Sequence, residues 1–366
     1  MKILSVVTSV PSENAMWWRI LNIIRILKSE GHQVDLVCFS KANNYTKNSK
    51  IIDTNNISVI SSPYVYDFIK YLRNINFSQY DLVYGNTHYG TLISLILKKV
   101  ADTPLIFDVH GGLVEESQLD NQNILLQNFK KLVDKLDFSF SDKNICVSKT
   151  MIDYLNKEKK IRKDKLHYVT NGVDLNFFKP KDSNNIDNIK TKLGIQDKFI
   201  FGYIGGFQSC QGIENFLGAA NKFEDENIVF LLAGASNGFK EKNIIQLPFL
   251  PRDQVLNLYS TCDVLVLPRP NCLATQIAAP TKFSEYSAMG KPVLTTNVGD
   301  ASNFVREYKS GMVIEDNSIN NLIIAMEKFK NLGDTKLDKM GKRSRKLAES
   351  EFDWQKIKTN LLKSIS

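Results

Sequence analysis

Residues 1–40 read MKILSVVTSVPSENAMWWRILNIIRILKSEGHQVDLVCFS. MKILSVVT is a short apolar run of strand length. Met16–Glu30 then places Trp17, Ile20, Leu21, Ile24 and Leu27 at helical spacing. Gly31 follows as a helix stop signal, and HQVDLVCFS is a second strand. Strand, helix, strand in 40 residues predicts a βαβ unit and a parallel sheet. The opening has no GxGxxG after its first strand, which disfavours an NAD-dependent dehydrogenase.

The alternation continues outward from there. NISVISSP, DLVYGNT, PLIFDVHG, KNICVS and LHYVTNGV read as strands, with helices expected over Tyr66–Ile75, Thr91–Val100 and residues 122–136. The 122–136 segment is amphipathic, with Lys130, Lys131 and Lys135 off its apolar face. Residues 180–195 are polar and charged, as a linker would be. The αβ pattern then restarts with KFIFGYIGG and runs through NIVFLLAG, NIIQLPFL, CDVLVLPRP and GKPVLTTNVGD. The expected architecture is α/β, with two consecutive Rossmann-like domains. The N-terminal one spans 1–185 and the C-terminal one 186–351. A helix near 352–366 is expected to pack back on the first. Open parallel sheets bind ligands beyond the carboxyl ends of their strands, so the polar residues just after the strands carry the functional reading.

The chain has 366 residues, a formal net charge of +8 and a hydrophobic fraction of 43%, ordinary values for globular domains that bury their own cores. Its five cysteines are scattered without a CxxC pair and are read as small buried hydrophobes in a reducing compartment. No apolar run reaches membrane-spanning length, and the first strand is too short for a signal peptide, so a cytoplasmic location is expected. The positive charge permits a polyanion partner. Its densest stretch is KEKKIRKDK, Lys157–Lys165. That stretch lacks interleaved aromatics, which makes nucleic acid the least favoured partner.

The chemistry concentrates in PTKFSEYSAMGKPVLTTNVGD, residues 280–300. Pro280 and Thr281 start a helix, with the Thr281 hydroxyl expected to cap its free N–H groups. Such a helix start suits a phosphate, and Lys282 adds a full charge in the first turn. Lys282 and Glu285 are three apart and share a face. A carboxylate there can accept both hydroxyls of a ribose. An ordinary surface Lys–Glu pair has the same pattern. A second feature is Gly205–Gly206 after FIFGYI, where backbone N–H groups can approach a phosphate closely, followed by a helix starting near Gln211.

Several segments together resemble the retaining glycosyltransferases of family 4, which have the GT-B fold. Pro280, Thr281, Lys282, Glu285, Tyr286, Ala288, Gly290, Lys291, Pro292 and Val293 stand in register with the pattern P-S/T-K-x-x-E-Y-x-A-x-G-K-P-V. STCDVLVLP upstream, NGVDLNFFKP at 171–180, ICVSKTM at 145–151, FDVHGG at 107–112 and GHQVDLV at 31–37 are similar to further family segments in the family's order. The resemblance implies two Rossmann-like domains whose parallel sheets face a central cleft. It implies that Glu285 holds the nucleotide ribose, that Lys282, Thr281, Gly205, Gly206, Gln211 and Arg269 lie on the donor side, and that His110 sits by the transferred sugar as the catalytic residue. On the acceptor side, Trp17 and Trp18 are candidates for stacking on a sugar ring, and His88 after YGNT for lining the site. No metal ligand set and no cofactor are expected beyond the UDP- or GDP-linked sugar itself. Asp81 and Asp263 start strands and read as structural.

Three positions depart from the family pattern. The first Glu of the usual E-x7-E is Ile277. The usual Arg after the first glycine of the second domain is Gly206. The usual Lys before the next helix is Gln211 or Cys210. Removing one preorganised donor from a developing anion typically costs ~3 kcal/mol, so something must compensate. Lys282, Arg269 and two helix N-termini are the candidates. The leading reading is a retaining, metal-independent hexosyltransferase-like enzyme that extends a glycan or lipid-linked acceptor in surface polysaccharide or glycoconjugate synthesis, peripheral on the anionic inner face of the membrane. The alternative is an impaired GT-B subunit that binds glycan or activates a partner transferase. A nucleotide-sugar epimerase ranks below both.

Overall fold

The structure is a computed structural model, and it describes residues 1–9, 14–40, 57–61, 76–181, 183–234 and 243–366. The helix expected over Tyr66–Ile75 lies outside the described residues. The chain divides into two compact units, Met1–Thr170 with Ile357–Ser366, and Asn171–Lys356.

The first unit carries a seven-stranded parallel sheet: β1 (Lys2–Val7), β2 (Gln33–Ser40), β3 (Ile57–Ser61), β4 (Leu82–Asn86), β5 (Leu105–Val109), β6 (Lys143–Cys146) and β7 (Leu166–Tyr168), in the order β3-β2-β1-β4-β5-β6-β7. β1 lies between β2 and β4, with Ile3 beside both Val34 and Leu82. Ile3, Leu4, Val6 and Val7 are all buried. A strand covered on both faces explains why the sequence shows an unbroken apolar run rather than alternation. The first helix, Ala15–Ser29, is capped by the Asn14 side chain, which accepts from the Trp17 N–H. Gly31 takes a φ of +81° just beyond its end, the left-handed geometry that favours glycine.

The second unit repeats the design with six strands: β8 (Phe199–Ile204), β9 (Ile228–Ala233), β10 (Ile244–Leu247), β11 (Val264–Leu267), β12 (Val293–Thr296) and β13 (Gly311–Ile314), ordered β10-β9-β8-β11-β12-β13 and all parallel. Both sheets reverse their winding once, at β1/β4 and at β8/β11. Ligands of doubly wound sheets bind at such reversals.

Two sequence expectations change. The polar stretch read as a linker contains a helix, Ser183–Leu193. Its Ile186, Ile189 and Leu193 fall at helical spacing, and Leu193 packs on the second unit's core. The division between units also falls before residue 171 rather than at 185. The reason is packing. Phe178 is fully buried in the second core, Val173 N–H donates to Phe352 O at 2.8 Å, and Arg345 donates to the carbonyls of Phe178 and Ala288 at 2.8 and 2.7 Å. At the other end the last helix is Trp354–Ile365. Its residues from Ile357 belong to the first unit, where Lys358 pairs with Glu30.

Candidate functional site

In the second unit the helix Thr281–Ala288 begins straight after Pro280, whose side chain makes no cap. The expected Thr281 cap is absent because Thr281 is already the first helical residue, one position too late for its hydroxyl to reach back. Without a side-chain acceptor, the first-turn N–H groups remain suited to an anion. Asn171 Nδ2 donates to Ala279 O at 2.7 Å and fixes the turn that leads in.

Glu285, one turn later, is largely buried. Tyr259 donates its hydroxyl to Glu285 Oε2 at 2.8 Å, and Arg252 Nη2 stands 3.6 Å from Oε1. The Arg252 guanidinium lies over the rings of Phe177 and Phe178, at 5.5 and 4.9 Å. Asp174 in turn accepts from the N–H groups of Asn176 and Phe177, which sets those rings in place. Burial pushes the Glu285 carboxyl up, opposed by Arg252, Tyr259 and Lys282. A carboxylate so held keeps its remaining lone pairs for hydroxyl donors.

Lys282 reaches the other way, towards the carboxyl end of β8. Its ammonium lies 3.4 Å from Gln211 Oε1 and 5.4 Å from the Tyr203 ring centre. Gly205 makes room for it. A Cβ there would lie 1.8 Å from Lys282 Cε, and the Gly205 φ of +146° already disfavours a side chain. Gly206 stands next to it, its carbonyl accepting from the Tyr203 hydroxyl at 2.6 Å. Arg269 follows β11 and is 5% exposed. Its Nε donates to Cys210 O at 3.2 Å, while its Nη1 is buried without a partner. Burial, and then the charge of Arg269, lower the Lys282 ammonium to about 8. Two cations that disfavour each other beside an unpaired buried donor form an arrangement that an anion would complete.

The structure brings Thr281, Lys282, Glu285, Gly205, Gly206, Gln211 and Arg269 to one end of one sheet. Ile277 is 1% exposed and belongs to the core, so the missing glutamate has been replaced by packing. Asp263 accepts from the Ile200 N–H and Asp81 from the Lys2 N–H.

In the first unit His110 follows β5, with its Nε2 3.1 Å from Asp108 Oδ2 but not aligned for a hydrogen bond. Asp108 is fully buried and receives Arg19 through both oxygens, Nε at 3.1 Å and Nη2 at 2.8 Å, with Tyr84 OH also at 3.1 Å. Burial alone would raise this carboxyl. Arg19 and then His110 outweigh it and hold the group well below the usual carboxylate range. Arg19 also donates to the carbonyls of Val169 and Thr170.

Two acceptor-side expectations fail on burial. Trp17 is fully buried against Val7, Leu21 and Leu36, and its indole N–H donates to Ser9, so it cannot stack on a sugar. His88 is buried edge-on against Phe107, with Nδ1 3.0 Å from Asp137 Oδ2. Burial lowers it to about 3, so it is a neutral core imidazole rather than a lining residue. Trp18 is half-buried on the neighbouring face. Sequence reasoning missed Arg252, Tyr259, Arg19 and Asp108. The only signal for Arg252 was the paired Phe177–Phe178, and that needs the fold to become legible.

By fold the chain is a two-unit protein of doubly wound parallel sheets. Residues 16–177 match Glycosyltransferase Family 4 and residues 185–347 match Glycosyl transferases group 1, so the chain belongs to the glycosyltransferase group 1 family. It is 25% identical to spore coat protein SA of Bacillus subtilis over 58% of this chain and 63% of that one, and so spans less than two thirds of that relative. It is 22% identical to an Escherichia coli UDP-Gal:alpha-D-GlcNAc-diphosphoundecaprenol alpha-1,3-galactosyltransferase over 74% of this chain and 71% of that one. Among solved structures it resembles Anabaena HepE in complex with UDP-glucose, with a TM-score of 0.80, 18% identity, and 100% and 99% of the two chains covered.

Arg19→Ala leaves the buried Asp108 carboxylate without its guanidinium partner and should destabilise the protein by about 3–5 kcal/mol in urea unfolding. The double replacement Arg19→Met with Asp108→Leu should recover much of that loss. Equal losses in the single and double variants would show that the ion pair is not what holds these elements.

Proposed function

We propose that this chain transfers a sugar from a nucleoside-diphosphate sugar to a glycan or lipid-linked acceptor, with retention at the transferred carbon, and that the second unit holds the donor. The observation that carries this reading is the meeting of Lys282 and the buried, half-paired Arg269 at the β8/β11 reversal, one helical turn from the braced Glu285. The cations take the diphosphate and Glu285 takes the ribose hydroxyls. As the sugar departs, negative charge grows on the diphosphate, and Lys282, Arg269 and the open helix start at Thr281 meet it without a metal. UDP is the favoured nucleotide, supported by the HepE likeness.

His110, after β5 of the first unit, is the residue assigned to the transfer step in this reading, with Asp108 and Arg19 fixing the electrostatics behind it. Asp108 is therefore a positioning residue. A lipid-linked acceptor is supported by the name of the Escherichia coli relative, whose acceptor carries a diphosphoundecaprenol. The cytoplasmic setting and a role in polysaccharide or glycoconjugate synthesis belong to the same proposal.

Thermal shift with UDP, GDP, ADP and CMP tests the donor site. A ligand at a hundred times its Kd should stabilise the fold by about 2.7 kcal/mol. Glu285→Ala and Arg269→Ala should each remove most of the shift, while His110→Ala should leave it intact and abolish sugar transfer. Undiminished nucleotide binding by Glu285→Ala would place the ribose elsewhere.

The pH dependence has a definite sign. Lys282 binds a diphosphate as the ammonium, and its pKa in the free protein is lowered to about 8. Nucleoside-diphosphate affinity should therefore hold below pH 8 and fall above it, by up to about tenfold per unit. Lys282→Arg should flatten that fall. An affinity unchanged from pH 7 to 9.5 would remove Lys282 from the diphosphate.

A further inference from the structure

His88, expected from the sequence on the acceptor side, is buried instead against the loop that carries His110. It opens the helix Thr87–Ala101, and Thr87 before it holds a φ of +62°. A β-branched residue rarely takes that left-handed conformation, so the turn that delivers His88 is strained. Strain of this kind persists only where the surroundings hold it, and it clusters at functional sites. Asn86 holds the turn from behind, its side chain donating to Ser5 Oγ at 2.8 Å and to the Val6 carbonyl at 3.1 Å. The imidazole then stands edge-on to Phe107 and Phe138, with ring centres 4.8 and 6.1 Å away.

The two ring nitrogens have separate surroundings. Nδ1 lies 3.0 Å from Asp137 Oδ2 on the helix Ile124–Phe140. Nε2 is buried without an aligned partner, and the Gly111 backbone is the acceptor that stands against the ring. A carbonyl only accepts, so Nε2 has to carry the proton for Gly111. Nδ1 is then an acceptor, and Asp137 can bond it only as the protonated acid. The electrostatics agree. Burial, and then the charge of Asp134, push the Asp137 carboxyl up to about 9. Lys159 does not offset this, because it is engaged by Asp134 at 2.7 Å and Glu115 at 3.1 Å. Burial keeps His88 neutral, aided by Lys159 and His110 and opposed by Gly111 and Glu115.

Gly111 and Gly112 follow His110 directly, and paired glycines leave a loop many conformations to sample. A Cβ on Gly111 would displace the Glu116 carboxylate. Beyond the glycines the chain is tied through Glu115, which accepts from the Tyr154 hydroxyl at 2.5 Å. At the glycines themselves, the group in reach is the His88 ring.

We infer that His88, oriented by Asp137, is a positioning residue that holds the Gly111 carbonyl and so fixes the loop that presents His110. The inference rests on the proposed transfer for its purpose, because His110 is the residue assigned to that step. The clamp itself is measurable without any substrate.

Ring-nitrogen NMR of the full-length protein with isotopically labelled histidine tests it directly. The chain has four histidines, so each ring is assigned by a single substitution. His88 is expected as the neutral Nε2–H tautomer, unchanged from about pH 5 to 8. His88→Asn keeps a polar group near Nδ1 and loses the reach to Gly111. It should shift the His110 signals and lower kcat for UDP release from UDP-glucose by about tenfold to a hundredfold, with KM and UDP affinity unchanged. His88→Gln places an amide N–H near the lost Nε2 and should restore much of that kcat. Asp137→Asn donates to Nδ1 as the protonated acid does, so it should keep the tautomer and the turnover, whereas Asp137→Leu should lose turnover. An Nδ1–H tautomer or a charged His88 ring at neutral pH would overturn the inference. So would His110 signals indifferent to His88→Asn, or equal loss of turnover in the Asn and Gln variants of His88. A parent that neither binds UDP nor releases it counts against the proposed function, and the spectra alone then decide the clamp.

Discussion

A guanidinium buried without an anion is costly, and the first unit is arranged around satisfying one. Arg19 projects from the helix Ala15–Ser29 and makes a two-pronged contact with Asp108 on β5. Tyr84 on β4 completes the carboxylate, and the carbonyls of Val169 and Thr170 take the remaining N–H groups. One side chain therefore ties together a helix, two strands and the segment that follows β7. His110 stands beside the same carboxylate, so the residue assigned to the chemistry rests on the contact that organises the fold.

The second unit uses arginine in the same way, with one deliberate exception. Arg345 spends its N–H groups on the carbonyls of Leu175, Phe178 and Ala288, and so joins the turn after Asn171 to the end of the helix that carries Glu285. Arg252 is stacked on Phe177 and Phe178 while facing Glu285. Arg269 is buried with one N–H unpaired and a lowered lysine for a neighbour. Among the described residues the other buried guanidinium, Arg19, is paired, and on the proposed reading the half-paired one marks where a ligand's charge belongs.

The sequence made much of this legible, and the physical reasons for the rest are specific. Parallel strands buried on both faces, such as β1 and β8, leave unbroken apolar runs, so the two sheets could be read directly. Glu285 and Lys282 were legible because one helical turn sets them on one face. Trp17 was misassigned because its periodicity fits a core and a binding face equally well, and only burial decides. The 183–193 helix reads as a linker because its three apolar residues in eleven suffice only with a packing partner that is distant in sequence. Arg19, Asp108, Arg252 and Tyr259 lay beyond reach for a common reason. Each acts through a contact with a residue remote in the chain, and a single sequence carries no local trace of such a contact.

The departures from the family pattern now have a physical account on the proposed reading. The loop after β8 has lost its usual cations, leaving Gly206 and Gln211. The glycine beside them, Gly205, is not idle, because its missing side chain is the space that the Lys282 stem occupies. Gln211 meets that lysine from the far side. The second cation, Arg269, arrives from the end of β11, the strand next to β8 in the sheet. β8 and β11 flank the reversal of the sheet, so a charge brought from either end reaches the same place. On the proposed reading, the positive charge for a diphosphate comes from Lys282 and Arg269 rather than from the loop after β8, and both reach the carboxyl end of the same sheet.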